Sequence, residues 1–206
     1  MNSNFLLLFS SGLTFAVGAI NITIGSVYSK DRSYLIFGFL SLLASLYLMI
    51  QVYALSSPRD VFMVDLISVA LAISFYTLFI WFIGEYTGYK KTLLQWSISL
   101  LAILLLPLFL LVHYSFIHWQ AWELVAHLAI LLISIYGLAA GRKALNEINA
   151  LWRQIYMLLM SFLLIMTLFY GLDIVLDLEL LYDPVGFISP LDLFPVFFSI
   201  IIGSKM

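Results

Sequence analysis

Seven stretches of about 20 residues carry little or no charge, and nearly all the lysines, arginines and acidic residues fall between them. A helix rises 1.5 Å per residue, so such a stretch matches a hydrocarbon core about 30 Å thick. Composition points the same way. The chain is 64% hydrophobic and 10% charged, whereas soluble domains are about one-quarter charged. Hydrophobicity is continuous rather than alternating, which argues against a transmembrane barrel. A formal net charge of −2 gives no basis for binding nucleic acid. The absence of cysteine excludes disulfides, thiolate catalysis, iron–sulfur clusters and cysteine–zinc sites.

The expected fold is therefore all-α, a single seven-helix transmembrane bundle over 1–206 with spans at about 5–28, 33–55, 61–84, 92–112, 121–140, 154–172 and 184–203. No lysine or arginine precedes the first apolar run, MNSNFLLLFSSG, so it reads as a spanning helix and not as a cleavable signal. In the first span, Gly12, Ala16 and Ala19 offer a smooth strip for close helix packing. Gly137 and Gly141 form a small-residue pair at the end of the fifth span, and these two faces suit either packing within the bundle or the seam of a homodimer. Pro107 should bend the fourth span, and Pro190 and Pro195 the seventh. Between the fifth and sixth spans, GRKALNEINALWR (Arg142 to Arg153) reads as an amphipathic extension at the surface. Asp173, Asp177, Glu179 and Asp183 read as an acidic loop.

Orientation follows from the basic residues. Phe79, Trp81 and Phe82 read as an aromatic belt, followed by Gly84-Glu85-Tyr86-Thr87-Gly88 and the pair Lys90 and Lys91, as at a cytoplasmic surface. Lys30, Arg32, Arg142, Lys143, Arg153 and Lys205 fall on the same side as that pair, and only Arg59 opposes them. By the positive-inside rule the N-terminus is outside and the C-terminus cytoplasmic, which requires an odd number of spans.

Ionisable residues inside spans are costly and mark functional candidates. Asp65, His127 and Asp192 are expected within the outer half of the membrane. Glu123 and His127 lie one helical turn apart and share a face. Trp119 and Trp122 would rim the same end. These six residues are the expected ligand site, opening to the outside. For each a plainer role is available, as an interfacial anchor or as a side chain satisfied by a backbone carbonyl.

His113, His118 and His127, with Glu123, have the chemistry of metal ligands but not the spacing of a known metal motif, so no cofactor is expected. No catalytic constellation is legible, and an enzyme is not expected. Retinal chemistry would need a lysine within the last span, where the chain has only the terminal Lys205, and no histidine follows His127 for a zinc hydrolase of the adiponectin-receptor type.

Three segments carry a family resemblance: Asn21-Ile22-Thr23-Ile24-Gly25 with the turn Lys30-Asp31-Arg32, the helix LIFGFLSLLASLYLMIQVYALSS, and Trp81-Phe82-x-x-Glu85-Tyr86-Thr87-Gly88. Together they resemble the N-terminal seven-helix sensor regions of bacterial signalling proteins, those joined to histidine kinases or diguanylate cyclases. The resemblance covers about the first half of the chain and carries no binding residue with it. It implies a multi-pass protein of the bacterial inner membrane that detects a small molecule or a membrane state. A cytoplasmic output domain or partner would receive the signal, since no kinase or cyclase module lies within these 206 residues. The alternative expectation is a small transporter or permease, and after it a metal- or haem-dependent membrane enzyme.

Overall fold

The computed structural model describes residues 3–28, 32–56, 61–144 and 150–176, together with Phe194, Phe198, Ile201 and Ile202 near the C-terminus. Its helices are α1 (Ser3–Thr23), continued by a π-helical turn over Ile24–Tyr28, α2 (Arg32–Ser56), α3 (Val61–Thr87), α4 (Thr92–His113), α5 (Trp119–Ala144) and α6 (Ala150–Leu176). All six are long and apolar enough to cross a membrane, and no strand occurs among the described residues. This is the pattern of a multi-pass membrane protein. Large apolar side chains such as Phe9, Phe15, Ile20, Phe39 and Met49 lie exposed on the helices, as lipid-facing surfaces require. The seventh expected span lies outside the described residues except for those last four positions.

Two compact units divide the chain, the first Met1–Phe82 with Asp192–Met206, the second Ile83–Leu191. The first is built on the pairing of α1 with α2. Buried positions on α1 and its π-helical turn are Leu7, Ser11, Thr14, Gly18, Asn21 and Gly25, a four–three spacing that keeps one stripe turned inward. Most are small or polar. In lipid, burying an apolar side chain between helices gains little over leaving it in the acyl chains, so helices associate through close backbone approach and hydrogen bonds.

Both devices are present. A Cβ on Gly18 would fall 2.9 Å from the Gly38 carbonyl oxygen, and one on Gly38 would fall 2.9 Å from that of Gly18. Two turns nearer the N-terminus of α1 than Gly18, at Ser11, the seam is hydrogen-bonded: the Ser11 hydroxyl contacts the Ser45 hydroxyl at 3.0 Å and reaches the Ser45 carbonyl at 3.1 Å, and the Ser45 hydroxyl reaches the Ser11 carbonyl at 3.0 Å. The strip expected to pack, Gly12, Ala16 and Ala19, is exposed instead, and nothing lies within 4 Å of a Cβ built on Gly12. Hydroxyls that can be satisfied across the seam turn inward ahead of alanines, which lose nothing by facing lipid.

Phenylalanines fill the rest of the first unit. Phe198 meets Phe79 edge-on at 4.7 Å between centroids, with Phe82 at 5.7 Å and Phe37 at 6.1 Å. Phe194 lies 5.8 Å from Phe79. Phe79 and Phe82, expected in an interfacial belt, are therefore core residues.

In the second unit, α5 and α6 pack through the notches of Gly137 and Gly141. Met160 fills the first, and Met157 with Tyr156 the second. The buried Tyr156 hydroxyl donates to the Gly137 carbonyl at 3.1 Å. The small-residue pair of α5 is thus occupied by α6 of the same chain. Of the segment 142–153, expected as a surface extension, residues 145–149 lie outside the described residues. Arg142 and Lys143 complete α5, and α6 has begun by Ala150. Asp173, expected in a loop, lies within α6 and is buried.

Two turns close helices of this unit. Gly88, at φ +69°, ends α3 in the left-handed region that glycine adopts without strain. After α4, the Phe116 N–H donates to Leu111 and the Ser115 N–H to Val112, both at 2.9 Å. That is the six-to-one and five-to-two pairing of a Schellman cap, here with Ser115 at φ 61° in the glycine position. α4 itself continues through Pro107.

Candidate functional site

The start of α5 carries the expected aromatic and ionisable residues on adjoining turns. Trp119, Trp122, Glu123 and His127 recur at three- and four-residue intervals, which brings them to one side of the helix. The Trp119 and Trp122 rings stack 5.1 Å apart at 28°. Phe109 of α4 meets both edge-on, at 6.1 and 5.8 Å. The Trp122 indole N–H donates to the Leu105 carbonyl at 2.9 Å, fastening α5 to α4. Pro107 withholds its hydrogen bond from the carbonyl four residues back, at Ile103; the tryptophan bond is made two residues further on.

The polar groups are held in sequence. Trp119 donates its indole N–H to Glu123 Oε1 at 2.7 Å. One turn on, His127 Nδ1 lies 2.7 Å from the Glu123 carbonyl oxygen. A carbonyl can only accept, so Nδ1 carries the proton. In the neutral ring Nε2 is then an unprotonated acceptor. It is buried, and no hydrogen-bond partner reaches it among the described residues. The Tyr170 ring of α6 lies alongside the imidazole, 6.0 Å away at 29°. The result is an imidazole held in one tautomer, with its acceptor nitrogen buried and an aromatic ring alongside. Such a group can receive an N–H or O–H from a small molecule.

Asp65 belongs to the first unit, near the start of α3, with an exposed side chain. Asp192 lies outside the described residues. His113, exposed, is the last residue of α4, 5.4 Å from the Tyr114 ring. His118 is exposed, and its carbonyl accepts from Ala121 at the start of α5. Among the described residues no three histidine, aspartate or glutamate side chains are grouped to hold a metal.

Phe109 and Tyr170 complete the group and were not singled out by sequence. Each comes from a different helix, and no local spacing marks either one.

No family model matches the chain, and neither a curated protein nor a solved structure matches it.

Proposed function

We propose that this chain is the membrane-embedded receiving module of a bacterial signalling system, of the kind its first half resembles. A small, largely apolar molecule with one N–H or O–H donor binds beside α5, donating to His127 Nε2 and covering the faces of Trp119, Trp122 and Tyr170. The observation that carries this reading is the buried acceptor nitrogen of His127, held in place yet without a partner among the described residues. A buried unsatisfied acceptor costs about 1–3 kcal/mol, a cost that a donor-bearing ligand would remove. Binding would favour one of two helix packings, which a cytoplasmic output domain or partner would sense.

The same proposal places the N-terminus outside and completes the bundle with a seventh span at about 184–203. The one-sided distribution of lysine and arginine supports it. Reporter fusions after Lys91 and Arg153 should report cytoplasm, and fusions near Ser57, Trp119 and Asp183 the outside. The reverse pattern at these sites would overturn a receptor facing outward.

The binding claim is tested by purifying the full chain from its native membrane and extracting retained small molecules for mass spectrometry. The wild type should retain a compound that the variants His127→Phe and Trp122→Ala lose. Identical extracts from all three proteins would remove the basis for a ligand site at α5.

A further inference from the structure

We propose that Lys91, Lys143 and Tyr89 form a binding site for the phosphate of an anionic phospholipid, in the leaflet that meets this end of the helices. Three helix ends within the second unit bring it together: α3 ends at Thr87, α4 begins at Thr92, and the membrane-crossing part of α5 ends at Lys143. All three of these points lie at span ends, where a bilayer places its headgroups.

The two lysines, far apart in the chain, converge on one ring. Lys91 Nζ lies 5.9 Å from the Tyr89 centroid and Lys143 Nζ 5.7 Å. The platform is held firmly. The Tyr89 ring packs 5.9 Å from that of buried Tyr136, whose hydroxyl donates to the Tyr89 carbonyl. The Tyr89 N–H donates to the Thr87 hydroxyl at 3.2 Å.

A tyrosine face attracts each ammonium by cation–π interaction, but it leaves two like charges close together. Their neighbour Lys90 is neutralised by Glu85 at 2.7 Å. Lys91 and Lys143, both exposed, have no carboxylate partner among the described residues. An anion held against both ammoniums would offset their mutual repulsion. The long lysine stems reach from the apolar boundary to the headgroup level, where lipid phosphate is concentrated. The first-turn amides of α4 begin at the next residue and have no side-chain cap, so they add partial positive charge to the same place.

The test is native mass spectrometry of the full chain in detergent, titrated with phosphatidylglycerol or phosphatidylcholine. Phosphatidylglycerol should bind more tightly, and Lys91→Gln/Lys143→Gln should weaken it by about fivefold per lysine, with little change for phosphatidylcholine. Tyr89→Leu keeps both charges, removes the platform, and should weaken phosphatidylglycerol binding as well. Lys30→Gln/Arg32→Gln removes the same net charge elsewhere and should have little effect. Equal losses from the two double variants, or equal binding of the two lipids by the wild type, would overturn the site. So would binding of inorganic phosphate, dependent on Lys91 and Lys143, without a preference for phosphatidylglycerol, because the occupant would then be a soluble anion.

Discussion

Glycine replacement along three helices separates backbone contact from side-chain contact. A Cβ on Gly38 would meet Ile22 Cγ1 at 2.6 Å, and backbone atoms, the Gly18 oxygen and the Ile22 nitrogen, at 2.9 Å each. Backbone cannot rotate away, and ordinary contact begins near 3.4 Å, so α1 and α2 must part by about half an ångström. A gap of that size forfeits about a quarter of the dispersion at each facing atom pair. It also stretches the hydrogen bonds of Ser11 and Ser45 toward their limit. Overpacking of this kind costs about 1–3 kcal/mol. On Gly137 the nominal clash is closer, 2.3 Å, but the atom met is Met160 Cε, the end of a flexible side chain. Rotation of that methyl should hold the cost below about 1 kcal/mol. Gly12 has open space around it. The gain in helix propensity, about 0.8–1 kcal/mol in water, is common to all three sites and cancels between them.

Gly38→Ala should therefore fall about 1–3 kcal/mol below Gly12→Ala, with Gly137→Ala between them. Reversible unfolding in mixed detergent and SDS micelles, followed by tryptophan fluorescence, measures the order. If Gly38→Ala and Gly12→Ala proved indistinguishable, the close approach of α1 and α2 would be wrong. If Gly12→Ala were the most damaging, the exposed strip of α1 would be a seam with another molecule.

Three shorter predictions concern individual bonds. Ser115→Gly should stabilise the protein by about 1 kcal/mol, because glycine adopts the positive φ of the α4 cap without strain; the same unfolding assay measures it. Trp122→Phe keeps a ring against Phe109 but loses the indole bond to Leu105, and should cost about 1 kcal/mol; a variant as stable as the wild type would show that bond to be idle. A double-mutant cycle of Ser11→Ala and Ser45→Ala should return a coupling of about 0.6 kcal/mol, the average for hydrogen bonds between membrane helices. Additive losses would mean that the two serines act separately.

The spans themselves were legible because the bilayer enforces them: an ionised group at mid-membrane is expensive, so charge collects at span ends. Their boundaries moved by up to a turn. α3 continues through Glu85, which is paired with Lys90, to Thr87, and α5 begins at Trp119. The inward face of α1 was misread for a physical reason. A search for the smallest residues finds Gly12, Ala16 and Ala19, but α1 buries the Thr14 hydroxyl and the Asn21 amide N–H, whose hydrogens its own carbonyls already accept. Thr14 donates to Ser10 at 2.8 Å, and Asn21 to Val17 at 2.9 Å. A donor satisfied in this way can enter a seam at a reduced desolvation cost. Polarity at four–three spacing was the better marker. The burial of Phe79 and Phe82 was illegible for another reason: phenylalanine suits a lipid face and a core equally well, and it is partner rings such as that of Phe198 that distinguish them.

The candidate site shows the same division. Trp119, Trp122, Glu123 and His127 could be grouped in advance because helical geometry makes three- and four-residue neighbours meet whatever surrounds them. The chemistry of the group, however, turns on a contact that spacing alone does not reveal. Had His127 Nδ1 faced a hydrogen-bond donor such as a backbone N–H, Nε2 would have carried the proton, and the ring would have offered a donor outward. Its position on the Glu123 carbonyl commits the proton to the helix and leaves a buried acceptor with an aromatic ring alongside. The polarity of any ligand follows from that: it must bring a hydrogen, and an anion without one would be rejected. Lys91 and Lys143, at the other end of α5, impose the opposite requirement, so one helix would select a donor at its beginning and a phosphate at its end.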